Sequence, residues 1–315
     1  MRLSLLNFAG NRFCMDRFKA GMLKGLEVCS GGKFYHVFTK GLEDDVIFRN
    51  RDDYVVGMNY VPVALAISKV AMIAFVLMSN HFHFIIYGDY DGAVRFIDTY
   101  KRLVSRYVRN KYGVKKILRS VKTTCSEINC DDEGLKRLIA YALNNPVKAG
   151  VNYLPQNYEW GSGKCYFSNM DHMLDTRPIS DLSVRERCRV LKSEVEVDGA
   201  YRINSHGYIE PGSYVKVEFV ESLFRFSRSM EYFLNISCRA DSRKDDKVVY
   251  SDTLVLSCLQ ELLEKKYESL KFEDLSAENR KRVITEIRRQ FNSPPKQLAR
   301  VLGITVQDVI NESVG

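Results

Sequence analysis

Several residue patterns that would decide the class of this 315-residue chain are missing from it. No two of its eight cysteines form a C-x-x-C pair; they lie scattered at positions 14, 29, 125, 130, 165, 188, 238 and 258. That excludes a disulfide framework and predicts thiols of a reducing compartment. Seven prolines and 19 glycines, with no repeat, exclude a collagen or a low-complexity chain. No apolar run approaches 18 residues, and Met1-Arg2-Leu3-Ser4 is not followed by a signal-peptide core. The expectation is a soluble, cytoplasmic protein without membrane partners. With 45% hydrophobic and 27% charged residues, the chain has the composition of a globular protein of about two domains.

Acidic residues are also scarce in one place. The formal net charge is +8, but residues 1–170 hold 24 Lys and Arg against 15 Asp and Glu, whereas residues 171–315 hold 23 against 24. The excess concentrates further in Arg95–Lys122, where ten basic residues meet a single acid, Asp98. Concentrated positive charge attracts polyanions, of which nucleic acid is the default. On a helical projection Ile97, Tyr100, Val104, Tyr107 and Val108 share an arc about 100° wide. Arg95, Arg102, Arg106 and Arg109 share another about 60° wide on the opposite side. A solvated helix face would intersperse acids for i,i+4 pairing; this stripe has none, which favours phosphate contact.

Along the chain, Lys33–Lys40 reads as a strand after Gly31-Gly32. Residues 52–68 read as a helix with a break or a start at Pro62. Ala71–Tyr87 reads as two strand segments, Ala93–Tyr112 as a helix, and Glu133–Leu143 as a helix capped by Asp131 or Asp132. The alternation predicts an α+β domain over residues 31–170, behind an N-terminal extension (1–30). A connector (171–240) packs against it, and an all-α accessory domain (241–315) follows.

Two short segments carry chemistry. In Ser79-Asn80-His81-Phe82-His83-Phe84, residues i and i+2 of a strand share a face, so His81 and His83 project together while Phe82 and Phe84 enter the core. Two imidazoles on a rigid strand supply two ligands of a metal site. A structural zinc site needs two more, and no Cys or His at suitable spacing provides them. Two histidines with an oxygen donor suit a catalytic Mg²⁺ or Mn²⁺ with open positions. A buried histidine pair bonded to backbone is the competing reading. The second segment is Tyr141-Ala142-Leu143-Asn144-Asn145-Pro146-Val147-Lys148-Ala149-Gly150. Tyr141 and Asn145 share one helix face, and Pro146 ends or kinks the helix at Asn145. His36, His172 and His206 are isolated and read as structural or surface residues. Gly161-Ser162-Gly163-Lys164 fails as a P-loop, because Tyr158 stands at the first glycine position and Cys165 follows the lysine.

His81-Phe82-His83 resembles the HUH motif. Tyr141 through Gly150, followed by Tyr158-Glu159-Trp160-Gly161-Ser162, resembles the tyrosine segment of REP-associated tyrosine transposases, relatives of the single-tyrosine, insertion-sequence 200-like transposases. Tyr35-His36-Val37, Lys40-Gly41 and Ile47-Phe48 resemble that family's first strand and turn. Ser79 replaces a common proline and Lys40 a common arginine. The resemblance spans about residues 33–167. It implies a ferredoxin-like antiparallel sheet with helices on one face, and metal-dependent cleavage and joining of single-stranded DNA beside a hairpin. His81, His83 and Asn145 would be the metal ligands and Tyr141 the nucleophile.

The chemistry is consistent with those residues. A divalent ion offsets the charge that shields a phosphodiester. A tyrosine phenolate (ordinary pKa near 10) can form a covalent 5′-phosphotyrosine and release a 3′-OH, conserving the bond energy for rejoining. Arg95, Lys101, Arg102, Arg106, Arg109, Lys115, Lys116 and Lys148 are the expected DNA contacts, with the arginine stripe holding the substrate near the metal. Residues 293–315 resemble a helix-turn-helix, with Gly303 at the turn. Lys296, Gln297, Arg300, Gln307 and Asn311 are its candidate duplex contacts, although a packing or protein-contact role fits equally. The competing functions are a catalytically inactive nucleic-acid-binding regulator and a water-using metal hydrolase. The sequence leaves monomer and homodimer open.

Overall fold

The computed structural model describes residues 32–39, 46–114, 118, 123–128, 131–151, 154–168, 173–240, 249–291 and 293–313. The expected extension at 1–30 lies outside them, as do Lys115, Lys116 and His172. The first unit runs β1 (Lys33–Thr39), α1 (Arg51–Ser68), β2 (Ala71–Leu77), β3 (Phe82–Gly88), α2 (Tyr90–Tyr112) and β4 (Thr123–Glu127). The four strands form one antiparallel sheet in the order β2-β3-β1-β4. Every residue of β2 and β3 is buried. Near-continuous apolar runs are what strands covered on both faces require. Helices α1 and α2 cover the face that bears Phe82 and Phe84, whose rings each meet Tyr100 of α2 edge-on at 5.0 Å. A third helix, α3 (Asp132–Leu143), covers the other face over β2 and β3.

Local chemistry explains most element ends. Asn50 caps α1 in a reciprocal box with Asp53. Asp89 caps α2, and Gly113 ends it in the left-handed conformation (φ 68°). Asp131 caps α3. Pro62 does not break α1, which continues through it to Ser68. Pro62 and the residues around it are buried, so tertiary burial outweighs the lost hydrogen bond and the steric cost of an interior proline. Strand β4 carries no apolar alternation (Thr-Thr-Cys-Ser-Glu) and gave no sequence signal; pairing with β1 makes it a strand.

After α3 the chain makes a turn at Asn144 and a four-residue helix, α4 (Asn145–Lys148). The break comes one residue earlier than Pro146 alone suggests. Tyr158–Ser162 then lies along the outer edge of β2: Leu77 N–H donates to Trp160 O (2.8 Å) and Ser162 N–H to Phe75 O (3.0 Å). The short strands β5 (Thr176–Pro178) and β6 (Arg202–Asn204) pair with each other, and helices α5 (Val184–Leu191), α6 (Val217–Phe224) and α7 (Ser227–Ala240) complete the unit. One hydrophobic core runs from Tyr35 through Leu234, so the expected connector is packed into the first unit, with α7 against α3.

Helices α8 (Asp252–Tyr267), α9 (Ala277–Phe291), α10 (Pro295–Leu302) and α11 (Val306–Ser313) enclose a separate core, from Val255 to Val309. The start of this unit, from Val249 to the first turn of α8, bonds to the first unit at Ser79, Ala149 and Arg49. Ser79 Oγ donates to Val249 O, Tyr250 Oη donates to Ala149 O, and Thr253 N–H donates to Arg49 O (3.2 Å). No described helix is long and apolar enough to cross a membrane.

Candidate active site

The β2–β3 hairpin turn is tight. Met78 N–H donates to His81 O (2.8 Å), while Ser79 O accepts from the N–H groups of Ile47 (2.6 Å) and Phe48 (3.0 Å). This anchoring fixes His81 immediately before β3, and His83 follows inside the strand. The two rings lie 5.2 Å apart, centroid to centroid, and edge to face, and they are only 1% and 3% exposed. They stand on the face opposite Phe82 and Phe84, as strand alternation demands.

Helix α3 brings Tyr141 to that same face. Its ring meets His83 edge-on at 5.8 Å. One turn further on, Asn145 Nδ2 donates to the carbonyls of Tyr141 (3.0 Å) and Ala142 (3.1 Å). With its nitrogen held against two carbonyls, Asn145 turns its oxygen the other way. Lys148 places its ammonium 4.3 Å from the centre of the Tyr141 ring, a cation–π contact. The structure therefore gathers Tyr141, His81, His83, Asn145 and Lys148 from two segments well separated in sequence.

It also adds His36. This residue, which reads as isolated in the sequence, places Nε2 3.1 Å from His83 Nδ1 and its ring 6.3 Å from that of Tyr141. Its partner is 47 residues away, so only the β1–β3 register, with Phe38 opposite His83, reveals the pair. Phe38 stacks on both rings, at 4.7 Å from His36 and 5.6 Å from His83. Burial draws His36 down to about 4. Burial, followed by the positive charge of neighbouring His81, His36 and Lys148, draws His83 well below the ordinary imidazole value. Both rings are neutral at pH 7, the state a metal ligand needs.

Among the described residues, no three His, Cys, Asp or Glu side chains are arranged to hold a metal ion. His36 does not complete a trio, because its Nε2 is spent on His83. What fits a cation is a mixed donor set. His81 Nδ1 is engaged by Asn80 Oδ1 (2.8 Å) and His83 Nδ1 by His36, so the atoms that could be offered to a cation would be the two Nε2 nitrogens and the Asn145 oxygen, four residues on from Tyr141. Two nitrogens and one oxygen with open positions suit a hard divalent ion that also takes substrate oxygens.

The basic residues divide differently from the expectation. Arg95, Arg102, Arg106 and Arg109 are exposed along the outer side of α2. Since α2 covers the Phe82/Phe84 face and Tyr141 the opposite one, the stripe points away from Tyr141. The sheet lies between the stripe and the histidines, where the expectation had the stripe beside the metal. Lys101 is half-buried and donates to Thr123 Oγ1 (2.7 Å), and burial lowers its pKa. Lys111 is paired with the fully buried Asp53 at 2.6 Å. In the C-terminal unit Gln297 is buried, and its amide donates to Tyr250 O (2.7 Å) and Asp252 Oδ1 (3.0 Å). Arg300 is ion-paired to Asp252 at 3.0 Å. Both are engaged with the start of α8. Lys296, Gln307 and Asn311 are exposed, the last two bonded to each other (3.0 Å). Lys164 of the P-loop-like segment pairs with Glu210 (2.8 Å).

No family model matches the chain, and no curated protein matches it. Among solved structures it is similar to a REP-associated tyrosine transposase bound to a REP hairpin. The identity is 18%, over 55% of this chain and 93% of that one, with a TM-score of 0.29.

Proposed function

We propose that this chain is a metal-dependent enzyme that cleaves and rejoins single-stranded DNA beside a hairpin, through a covalent 5′-phosphotyrosine at Tyr141. The observation that carries the reading is the convergence of Tyr141, from α3, on His83 and His36 at one sheet face, with Asn145 and Lys148 on the short helix that follows. The sheet order β2-β3-β1-β4 within a β-α-β-β-α-β unit supports a ferredoxin-like fold. The expectation of helices on one face needs the addition of α3, which brings the tyrosine to the other.

His81 Nε2, His83 Nε2 and Asn145 Oδ1 would hold the cation. A bound Mg²⁺ or Mn²⁺ there offsets and orients the charge on the non-bridging phosphate oxygens. The Tyr141 oxygen attacks phosphorus and forms the P–O bond to the 5′-phosphate. The bond to the 3′-oxygen breaks, and that oxygen leaves as a 3′-OH after taking a proton, while the phenol proton passes to solvent. Attack by a 3′-OH on the phosphotyrosine reverses the step without an external energy source. Lys148, over the tyrosine ring, supplies positive charge beside the anionic substrate.

The stripe on α2 is read as a separate phosphate-contacting surface for another stretch of the substrate. The α10–Gly303–α11 unit, with Gly303 left-handed at φ 71°, supports a helix-turn-helix-like reading, with Lys296, Gln307 and Asn311 as its exposed candidate duplex contacts. The test is incubation with hairpin-flanked single-stranded DNA and Mn²⁺, followed by denaturation. A denaturation-resistant protein–DNA band supports the transesterase. Cleaved DNA with free 5′-phosphates and no band indicates a water-using hydrolase, and binding without cleavage an inactive regulator.

A further inference from the structure

Each of the paired histidines has its Nδ1 engaged, and by a different element. Asn80, in the hairpin turn, holds Oδ1 2.8 Å from His81 Nδ1. A carbonyl oxygen only accepts, so His81 carries its proton on Nδ1 and presents Nε2. His83 Nδ1 instead faces His36 Nε2, from the neighbouring strand, at 3.1 Å. In a neutral imidazole one nitrogen donates and the other accepts, so one of the two facing nitrogens must carry the hydrogen.

We infer that His36 is a positioning residue that fixes His83 in the Nδ1–H tautomer by accepting a hydrogen bond from that N–H at Nε2, so that both histidines present Nε2 beside Tyr141. This rests on the metal-dependent reading above. The β1–β3 register makes His36 and His83 diagonal neighbours on one face. Their rings are nearly parallel (16°, 5.3 Å), and Phe38 stacks on both. The pair is therefore held at hydrogen-bonding distance by the sheet and by a third ring. A leucine at position 36 would fill the space and leave His83 Nδ1 without an acceptor in a buried site. A glutamine would place an amide oxygen at about the reach of the lost Nε2. Partners that orient ligating histidines in this way typically contribute 10–100-fold in metal affinity.

Two measurements on the full chain test this. The first is ring-nitrogen NMR of the metal-free protein, which reports which nitrogen of His83 is protonated. Nδ1–H in the wild type, lost in His36→Leu and kept in His36→Gln, is expected. Nε2–H on His83 in the wild type overturns the inference whatever the metal does. The second is Mn²⁺ titration by calorimetry, with circular dichroism to establish that each variant is folded. His36→Leu is expected to bind about 10–100-fold more weakly and His36→Gln to recover most of the loss. A merely space-filling role would instead favour leucine. Equal affinity in the wild type and His36→Leu overturns the inference and leaves the metal reading standing. No Mn²⁺ binding by the wild type overturns the metal reading, and the tautomer measurement then decides the role of His36 alone.

Discussion

Tyr141 is one of 18 tyrosines, and burial separates it from most of the others that the core uses. Tyr54, Tyr100, Tyr158, Tyr166 and Tyr214 are all pushed above the ordinary phenol value, chiefly by burial, and are held as phenols. Tyr141 is half-buried and stands at the histidines. The buried phenols make a pH prediction. Above pH 10 the unfolded chain releases these protons and the folded chain keeps them, so stability falls as pH rises through that range. The Cys165 thiol, pushed up to about 12 by burial, acts in the same direction from pH 9. Phenolate absorbance should therefore appear together with loss of helical circular dichroism; a smooth titration of all tyrosines with the fold intact would contradict this burial pattern. At this scale the sequence disclosed His81, His83, Tyr141 and Asn145, because each pair is local, at i,i+2 or i,i+4. It hid His36, whose meaning depends on a cross-strand register.

Among the elements, the legible ones were those with strong period: α2, read from Ala93 and found to start three residues earlier behind Asp89, α3 after its Asp131 cap, and the apolar hairpin of β2 and β3. Those decided by tertiary contacts were not legible. Pro62 is tolerated inside a buried helix, β4 exists through its partner, and Tyr158–Ser162 follows the edge of β2 without strand composition. That edge makes one residue critical. A Cβ at Gly161 would stand 2.9 Å from the Phe75 carbonyl oxygen, a backbone atom that cannot step aside. Gly161→Ala is expected to cost about 1–3 kcal/mol, read in denaturant unfolding, and an unchanged midpoint would refute the close approach. Helix α2 supplies the other test. Projection separated its arginines from its core residues, but which sheet face it covers is a property of topology. Charge reversal at Arg102 and Arg106 should weaken DNA binding and flatten its salt dependence by about two phosphate contacts. Cleavage of saturating substrate should continue, because the stripe faces away from Tyr141. An abolished cleavage step at saturation would place the stripe in the site after all.

For the molecule as a whole, the charge asymmetry and the two hydrophobic cores divide the chain differently. The positive excess lies in residues 1–170, but the first core continues to Leu234, so the near-neutral part of that unit supports α3 from behind through α7. Asn144 Nδ2 donates to Leu234 O (2.6 Å), joining the turn after Tyr141 to α7. The C-terminal unit reaches the same region through Ser79 and Ala149, next to the His81 turn and Lys148. A sequence reading places a connector and an accessory domain after the catalytic residues; the packing makes both parts of the support for the tyrosine and the histidines. The central claim of the proposed function is one covalent step at Tyr141, and one assay addresses it. Labelled hairpin-flanked single-stranded DNA is incubated with Mn²⁺ and either the wild type or Tyr141→Phe, and the products are resolved under denaturing conditions. The account predicts a labelled protein–DNA adduct with the wild type, none in the presence of EDTA, and none with Tyr141→Phe, which still binds the DNA. A labelled adduct formed by Tyr141→Phe would contradict it.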